Sequence, residues 1–161
     1  MTVVLNTTIR PERLHGRGAV SNAVGRYEKQ TRTLLDDGWD DGWRSDDDAP
    51  PPIKTEVIHD ATRSIIAHNK SPDISFDQSI NPYRGCEHGC IYCFARPTHA
   101  YLGMSPGVDF ESRLFAKPNA AALLAKELSA PGYVPKTIAM GTNTDPYQPL
   151  ERKMRITRSI L

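Results

Sequence analysis

Residues 85–97 read GCEHGCIYCFARP and contain all three cysteines of the 161-residue chain, Cys86, Cys90 and Cys93. Their spacing is C-x3-C-x2-C. A structural zinc ion takes four protein ligands, a disulfide takes two cysteines, and a fully ligated iron–sulfur cubane takes four. Three thiolates on a cubane leave one iron open to a substrate or cofactor. The pattern therefore favours an iron–sulfur cluster with one open position.

A glycine directly precedes each of the first two cysteines. Gly85 and Gly89 permit a positive φ, and such turns let backbone N–H groups point toward sulfur. We call residues 85–97 the cysteine loop and expect it to be a compact metal-binding turn.

Two other uses of the thiols remain open on the residues alone. A zinc ion could recruit His88 or His99 as a fourth ligand, although the intervals differ from those of common zinc fingers. Cys90 and Cys93 could form a dithiol redox pair, but that pair would leave Cys86 over and would not open a predicted helix. A non-catalytic iron–sulfur or zinc-binding module is thus the alternative to an enzyme.

Composition narrows the class of protein. The formal net charge of +1 argues against a protein built mainly to neutralise phosphates. It does not exclude a local basic face on the last predicted helix, formed by Arg152, Lys153, Arg155 and Arg158. The plainer interpretation of these four residues is an ordinary solvated helix surface. No stretch approaches the roughly 20 apolar residues of a membrane span, and the N-terminus has no signal-peptide pattern. We expect a cytoplasmic protein with reduced thiols and no membrane partner.

Residues 1–52 differ from the rest of the chain. They are polar and acidic, and they end in DDGWDDGWRSDDDAPPP. Such a segment buries too little apolar area to offset the entropy of ordering it, which predicts a disordered arm and linker. The alternative is an arm that docks Trp39 and Trp43 on a partner or on its own domain.

Residues 53–161 have a globular pattern. We predict a strand at 73–80, a helix at 118–132, a buried strand at 136–141, a polar loop at 141–149 and a helix at 150–161, while 55–69 shows no clean period. This order predicts a parallel sheet with right-handed crossovers and both polar loops at the carboxyl ends of strands. Two strands do not finish a sheet and the last helix has no cap, so we expect the front part of a longer protein.

Three stretches carry a family resemblance: SINPYRGCEHGCIYCFARPTHAYL at 79–102, FAKPN at 115–119 and GTNTDPYQPLE at 141–151. They resemble the radical S-adenosylmethionine (radical SAM) superfamily, in its bacterial subgroup related to spore photoproduct lyase. The likeness covers residues 55–161. It implies an α/β fold: the N-terminal part of a partial (β/α) TIM-type barrel, incomplete within 53–161 and preceded by the arm.

The resemblance also implies a set of site residues. The three cysteines would hold a [4Fe–4S] cluster, whose open iron would chelate S-adenosylmethionine. The backbone at Tyr92 would lie near the adenine, and Lys117 would pair with the cofactor carboxylate. Where many members have Gly-Gly-Glu for the cofactor amino group, this chain has other polar residues: Thr142, Asn143 and Asp145. A solvated lysine and an ordinary Asp-Pro turn are the plainer interpretations of Lys117 and Asp145.

The activity implied by the resemblance is reductive cleavage of S-adenosylmethionine to a 5′-deoxyadenosyl radical. The electron would come from an external one-electron reductant of the flavodoxin or ferredoxin type. The radical would abstract hydrogen from an unknown substrate, in a lyase-like reaction for which a nucleic-acid lesion is one candidate. The chain has no cysteine outside the loop to serve as the hydrogen-atom donor that the photolyase uses. An inactive truncated product is a further alternative.

Overall fold

The computed structural model describes residues 16–27 and 53–161. The strands are β1 Glu56–His59, β2 Ile66–His68, β3 Gln78–Ile80, β4 Tyr83–Arg84, β5 Arg113–Ala116 and β6 Ile138–Met140. The helices are a 3₁₀ helix at Arg96–Leu102, then α1 Val108–Ser112, α2 Ala120–Leu128, α3 Glu151–Met154 and α4 Ile156–Ile160.

The strands form two three-stranded sheets, each of them mixed. The first has the order β1-β5-β4, with β1 parallel and β4 antiparallel to β5. The second has the order β2-β3-β6, with β2 antiparallel and β6 parallel to β3. Ile80 is opposite Met140 at the last paired position of β3 and β6. The two loops that follow these strands therefore leave the sheet side by side.

One hydrophobic core joins the two sheets. Leu114 and Ala116 of β5 are fully buried, and they share a cluster with Ile80 of β3 and with Tyr83 of β4. Ala120 and the partly buried Leu123 and Leu124 bring α2 onto the same cluster. Burial of these apolar side chains is the main force that stabilises the strands from which the loops of the site leave.

The barrel expectation is wrong for the described residues. Two small mixed sheets stand where a (β/α) barrel would have one continuous parallel sheet. Strands β2 and β3 pair antiparallel, and so do β4 and β5. Antiparallel neighbours need no crossover helix between them, so the regular strand–helix alternation of a barrel is absent among the described residues. Parallel pairing of the strands predicted at 73–80 and 136–141 is found, between β3 and β6.

Individual elements agree with the sequence to different degrees. The predicted helix at 118–132 is confirmed as α2, and its Leu124 is partly buried while Leu128 is exposed. The predicted strand at 73–80 is paired only over Gln78–Ile80. Strands β1 and β2 lie in the stretch 55–69, to which no element was assigned.

The predicted helix at 150–161 is two short helices, because Arg155 has a left-handed φ of 52° between them. The carboxylate of Glu151 explains the break. It accepts hydrogen bonds from the backbone N–H groups of Thr157 and Arg158, at 3.0 Å each, which lie in the first turn of α4 and have no intrahelical partner. It also accepts the hydroxyl of the buried Tyr83.

Residues 16–27, which the sequence placed in the arm, lie against residues 105–111. Trp39 and Trp43 lie outside the described residues. In the part of the chain that is described, no helix is both long and apolar enough to cross a membrane.

Candidate metal and cofactor site

The side chain of Asn81 connects the loops that follow β3 and β6. Its amide nitrogen donates to the hydroxyl of Thr142 at 3.0 Å, and its amide oxygen accepts the backbone N–H of Asn143 at 2.7 Å. The backbone N–H of Gly141 donates to the carbonyl of Ile80 at 2.9 Å, which continues the parallel pairing by one residue. The predicted polar residues Thr142 and Asn143 are therefore held beside the start of the cysteine loop.

Lys117 directly follows β5, and its side chain reaches Asn81. Its Nζ donates to the backbone carbonyl of Asn81 at 2.8 Å, although only 7% of the residue is exposed. Burial lowers the pKa of Lys117, and the nearby Arg84 lowers it further, while Asp60 acts in the opposite direction. An ammonium at the end of a strand, with a single hydrogen-bond acceptor among the described residues, is suited to receive an anionic ligand.

The three cysteines are free thiols with different environments. Cys86 is buried and Cys93 packs against the small cluster that Cys86 forms with Ala95 and Phe110, whereas Cys90 is exposed. Burial raises the pKa of the Cys86 thiol, although backbone N–H groups of residues 88 and 145 favour its thiolate. Within residues 16–27 and 53–161, no three cysteine, histidine or acidic side chains converge into one metal-binding group.

The donor set is nonetheless chemically suited to an iron–sulfur cluster. Three thiols lie within eight residues of one loop, and none is used in a disulfide. The loop is tightly turned: the N–H of Gly89 bonds the carbonyl of Cys86 at 3.2 Å, and the N–H of Cys93 bonds that of Cys90 at 3.1 Å. Gly85 and Gly89 both have positive φ, as expected.

The loop at 141–149 docks onto the cysteine loop. The hydroxyl of Thr144 donates to the carbonyl of Gly85 at 2.8 Å, and the amide of Gln148 accepts the N–H of Glu87 at 2.9 Å. His88 Nε2 lies 3.3 Å from the carboxylate of Asp145, with both side chains partly exposed. The predicted residue Asp145 is thereby directed at the cysteine loop. Thr142 and Asn143 are fixed by Asn81 instead.

His99 is not placed as a metal ligand. It is fully buried, its Nε2–H donates to the carbonyl of Arg113 at 2.9 Å, and its ring contacts Phe110 edge to face. Burial lowers the pKa of His99, so the neutral ring is favoured. A Cβ on Gly85 would lie 2.9 Å from this ring, which explains why glycine is needed where the loop leaves β4.

Arg96 fixes the backbone of the cysteine loop from within. Its guanidinium donates to the carbonyl of Cys90 at 2.9 Å and to that of Gly89 at 2.6 Å. It also donates to the carboxylate of Glu111 at 2.5 Å, and it lies over the ring of Phe110. Planar guanidinium groups are suited to this kind of multiple, directional contact.

The outer face of the cysteine loop is apolar and open. Tyr92 and Phe94 are 87% and 79% exposed, and Ile91 is exposed beside them. The predicted backbone role of Tyr92 is compatible with a side chain that points away from the core. The four basic residues at 152–158 are likewise exposed.

The sequence missed three contributors to the site: Asn81, Arg96 and Glu111. In the sequence, Asn81-Pro82 indicates only the end of a strand. The bridging role of the Asn81 side chain depends on the register of β3 against β6. Arg96 is the second-last residue of the cysteine loop, and Glu111 lies 15 residues further on. The burial of this charged pair, and the backbone groups that satisfy it, emerge only from the packing.

Comparisons with known proteins place the chain beside uncharacterised relatives. It is 47% identical over 98 residues to uncharacterised proteins of Mycobacterium bovis and Mycobacterium tuberculosis H37Rv, a match that covers 59% of this chain and 29% of each relative. It is 28% identical over 108 residues to an uncharacterised protein of Methanocaldococcus jannaschii, which covers 67% of this chain and 38% of that protein. No family model and no solved structure matches. The chain thus spans less than a third of the length of its mycobacterial relatives.

Proposed function

We propose that this chain carries the cluster-binding part of a radical SAM enzyme. Cys86, Cys90 and Cys93 would hold a [4Fe–4S] cluster through three thiolates, and S-adenosylmethionine would bind where no protein ligand is supplied. When bound, the cluster supplies a low-potential electron that cleaves the cofactor reductively to methionine and a 5′-deoxyadenosyl radical. The observation that carries the proposal is the position of Lys117, whose ammonium lies at the strand end that adjoins the cysteine loop.

The protein side of this site holds the methionine end of the cofactor. The ammonium of Lys117 attracts the carboxylate. The polar groups that accept from the cofactor amino group are Thr142, Asn143 and Asp145, which the contacts of Asn81 and the docked loop keep beside the cysteine loop. The backbone at Tyr92 would contact the adenine. Fixed dipoles and charges of this kind orient a cofactor without reorganising when it binds.

The substrate and the partners belong to the proposal as well. An external one-electron reductant of the flavodoxin or ferredoxin type is needed, and a cytoplasmic location would keep the thiols reduced. A nucleic-acid lesion is the substrate class that the exposed basic residues at 152–158 favour, since lysine and arginine bind phosphates. The exposed aromatic rings of Tyr92 and Phe94 offer stacking surfaces for an unpaired base.

Anaerobic reconstitution tests the proposal. The chain should take up about four irons and four sulfides, and its broad visible absorption should bleach with dithionite. A colourless chain that takes up one zinc ion instead would support the zinc-binding alternative. Conversion of S-adenosylmethionine to 5′-deoxyadenosine by the reduced protein, measured by chromatography, then tests the enzymatic part of the proposal.

A further inference from the structure

The carboxylate of Glu111 is a buried acceptor for a segment far away in sequence. The backbone N–H groups of Arg17, Gly18 and Ala19 donate to it at 2.5, 2.9 and 2.6 Å. Arg96 donates to one of the same oxygens from the other side. Three successive amides on one carboxylate form a specific anion-binding turn, which an ionised side chain stabilises strongly.

The same segment continues along α1. The backbone carbonyl of Ser21 accepts the N–H of Val108 at 3.2 Å. The side-chain amide of Asn22 donates to the carboxylate of Asp109 and accepts the backbone N–H of Asp109, at 2.9 Å each. The guanidinium of Arg17 lies 3.6 Å from the carboxylate of Glu87, inside the cysteine loop. We call residues 17–22 the strap.

The strap touches the part of the loop that carries Cys90. A Cβ on Gly18 would lie 2.1 Å from the carbonyl oxygen of Gly89 and 3.4 Å from the N–H of Ile91. Only glycine allows so close an approach of the two backbones. The peptide between Gly89 and Cys90 is thus covered by the strap on one side and bonded by Arg96 on the other.

Arg96 and Glu111 connect these contacts. The carbonyl of Cys90 accepts both the guanidinium of Arg96 and the N–H of Cys93, so the turn between the last two cysteines is held by the same group that pairs with Glu111. Movement of the strap would therefore be transmitted to this turn through three consecutive bonds.

We propose that the strap is part of the cysteine site, and that Gly18, Arg96 and Glu111 are positioning residues that set the placement of the exposed Cys90 thiol through the loop backbone. The strap closes one side of the loop and stabilises the backbone turn between Cys90 and Cys93. The contacts of the strap involve no metal. The inference therefore rests on the proposed function only in assuming that the three thiols bind a cluster.

The test uses the full chain, reduced and freed of metal with a chelator. Alkylation of each cysteine by iodoacetamide is followed by mass spectrometry, together with hydrogen exchange of the loop amides. Gly18→Ala should displace the strap, so that the alkylation rate of Cys90 changes roughly three- to tenfold and the amide of Cys93 loses protection, with little change in the thermal midpoint. Val20→Ala, in the strap but with an exposed side chain, is the matched control and should behave as wild type.

Glu111→Gln provides a second variant, in which the amides of residues 17–19 should exchange faster while a folded chain retains its thermal transition. A purely structural role would lower the thermal midpoint without singling out Cys90. Equal alkylation of Cys90 and equal exchange at Cys93 in Gly18→Ala and wild type would overturn the proposal, and so would global unfolding of Gly18→Ala. Failure of the wild type to take up iron would instead count against the proposed function alone.

Discussion

The Nζ of Lys117 lies 2.8 Å from the backbone carbonyl oxygen of Asn81, and through this contact the end of β5 meets the end of β3. The side chain of Asn81 reaches across to Thr142 and Asn143 beyond β6. A single asparagine thereby gathers three strand ends. Because Lys117 is buried and forms no ion pair with a carboxylate of the described residues, its ammonium retains capacity for an anion.

Lys117→Met should weaken binding of S-adenosylmethionine by roughly ten- to a hundredfold, the contribution of a charge-assisted hydrogen bond. The free energy of unfolding at neutral pH should be retained or rise by about 1 kcal/mol, because a desolvated charge is replaced by an apolar side chain. Calorimetry and urea denaturation measure the two effects. Lys126→Met, an exposed position on α2, is the control. Unchanged affinity in Lys117→Met would remove this residue from the site.

The lowered pKa of Lys117 predicts a pH effect on stability. Between the folded pKa and the unfolded value of 10.5, the unfolded chain binds more protons than the folded chain, so this residue makes stability rise with pH across that window. Below the folded pKa, the cost of burying the charge is fully present. Urea denaturation from neutral to alkaline pH should show a smaller rise in Lys117→Met than in wild type. Parallel profiles would contradict the expectation.

Tyr83 and Glu151 form a second pH-dependent contact. Burial opposes ionisation of Glu151, but hydrogen bonds from Tyr83, Arg158 and Thr157 outweigh it and lower the pKa of the carboxyl. Its stabilisation is present above the unfolded value of 4.5 and is lost as the pH falls through the folded pKa. Tyr83→Phe should cost about 1–2 kcal/mol at neutral pH and flatten this acid-side loss. A variant with wild-type stability and the same acid profile would show that the contact contributes nothing.

Arg155→Gly should stabilise the chain by about 1 kcal/mol, because glycine tolerates the left-handed conformation between α3 and α4 without a Cβ penalty. Arg155→Ala, which removes the same charge but keeps the Cβ, is the control and should bring no such gain. Thermal denaturation measures the difference between the two variants. If alanine stabilises as much as glycine, charge rather than backbone conformation is the cause.

Elements whose formation depends on residues close in sequence could be predicted, and those that depend on contacts between distant residues could not. Helix α2 could be predicted because its alanines and leucines favour helix and flanking prolines bound it. Strand β6 could be predicted because Pro135 and Gly141 bound a short apolar run, although the strand is half-buried and not buried as expected. Strands β4 and β5, of two and four residues, show no measurable period, so the division into two mixed sheets was missed and a barrel was expected. The break at Arg155 was missed because it depends on contacts of Glu151 with Tyr83 and with α4.

The candidate site shows the same division. The cysteine spacing and the polar loop at 141–149 could be recognised from consecutive residues, and the structure brings that loop onto the cysteine loop. Glu111 and the strap could not be predicted, because their partners are more than 90 residues apart and are joined by backbone N–H groups rather than by an apolar pattern. Glycine-rich polar segments give no periodic signal when hydrogen bonds hold them in place.

Single cysteine variants test the ligand set. Cys86→Ala, Cys90→Ala and Cys93→Ala should each reduce iron uptake from about four per chain to a small fraction, because two thiolates do not hold a cubane whose fourth iron is already open. His88→Ala should retain its iron, since that ring pairs with Asp145. His99→Gln should retain it too, because His99 bonds Arg113. Loss of metal in either histidine variant would revive a site with three cysteines and one histidine.

Electron paramagnetic resonance detects whether a cluster held by three cysteines has an iron that is open to S-adenosylmethionine. The reconstituted chain is reduced with dithionite under strict anaerobiosis, and its spectrum is recorded with and without S-adenosylmethionine. We expect the signal of a reduced [4Fe–4S] cluster whose g-values change when the cofactor is added, because a ligand binds to one iron. A cluster signal that the cofactor leaves unchanged at saturating concentration would contradict it, as would the absence of any cluster signal in the wild-type chain.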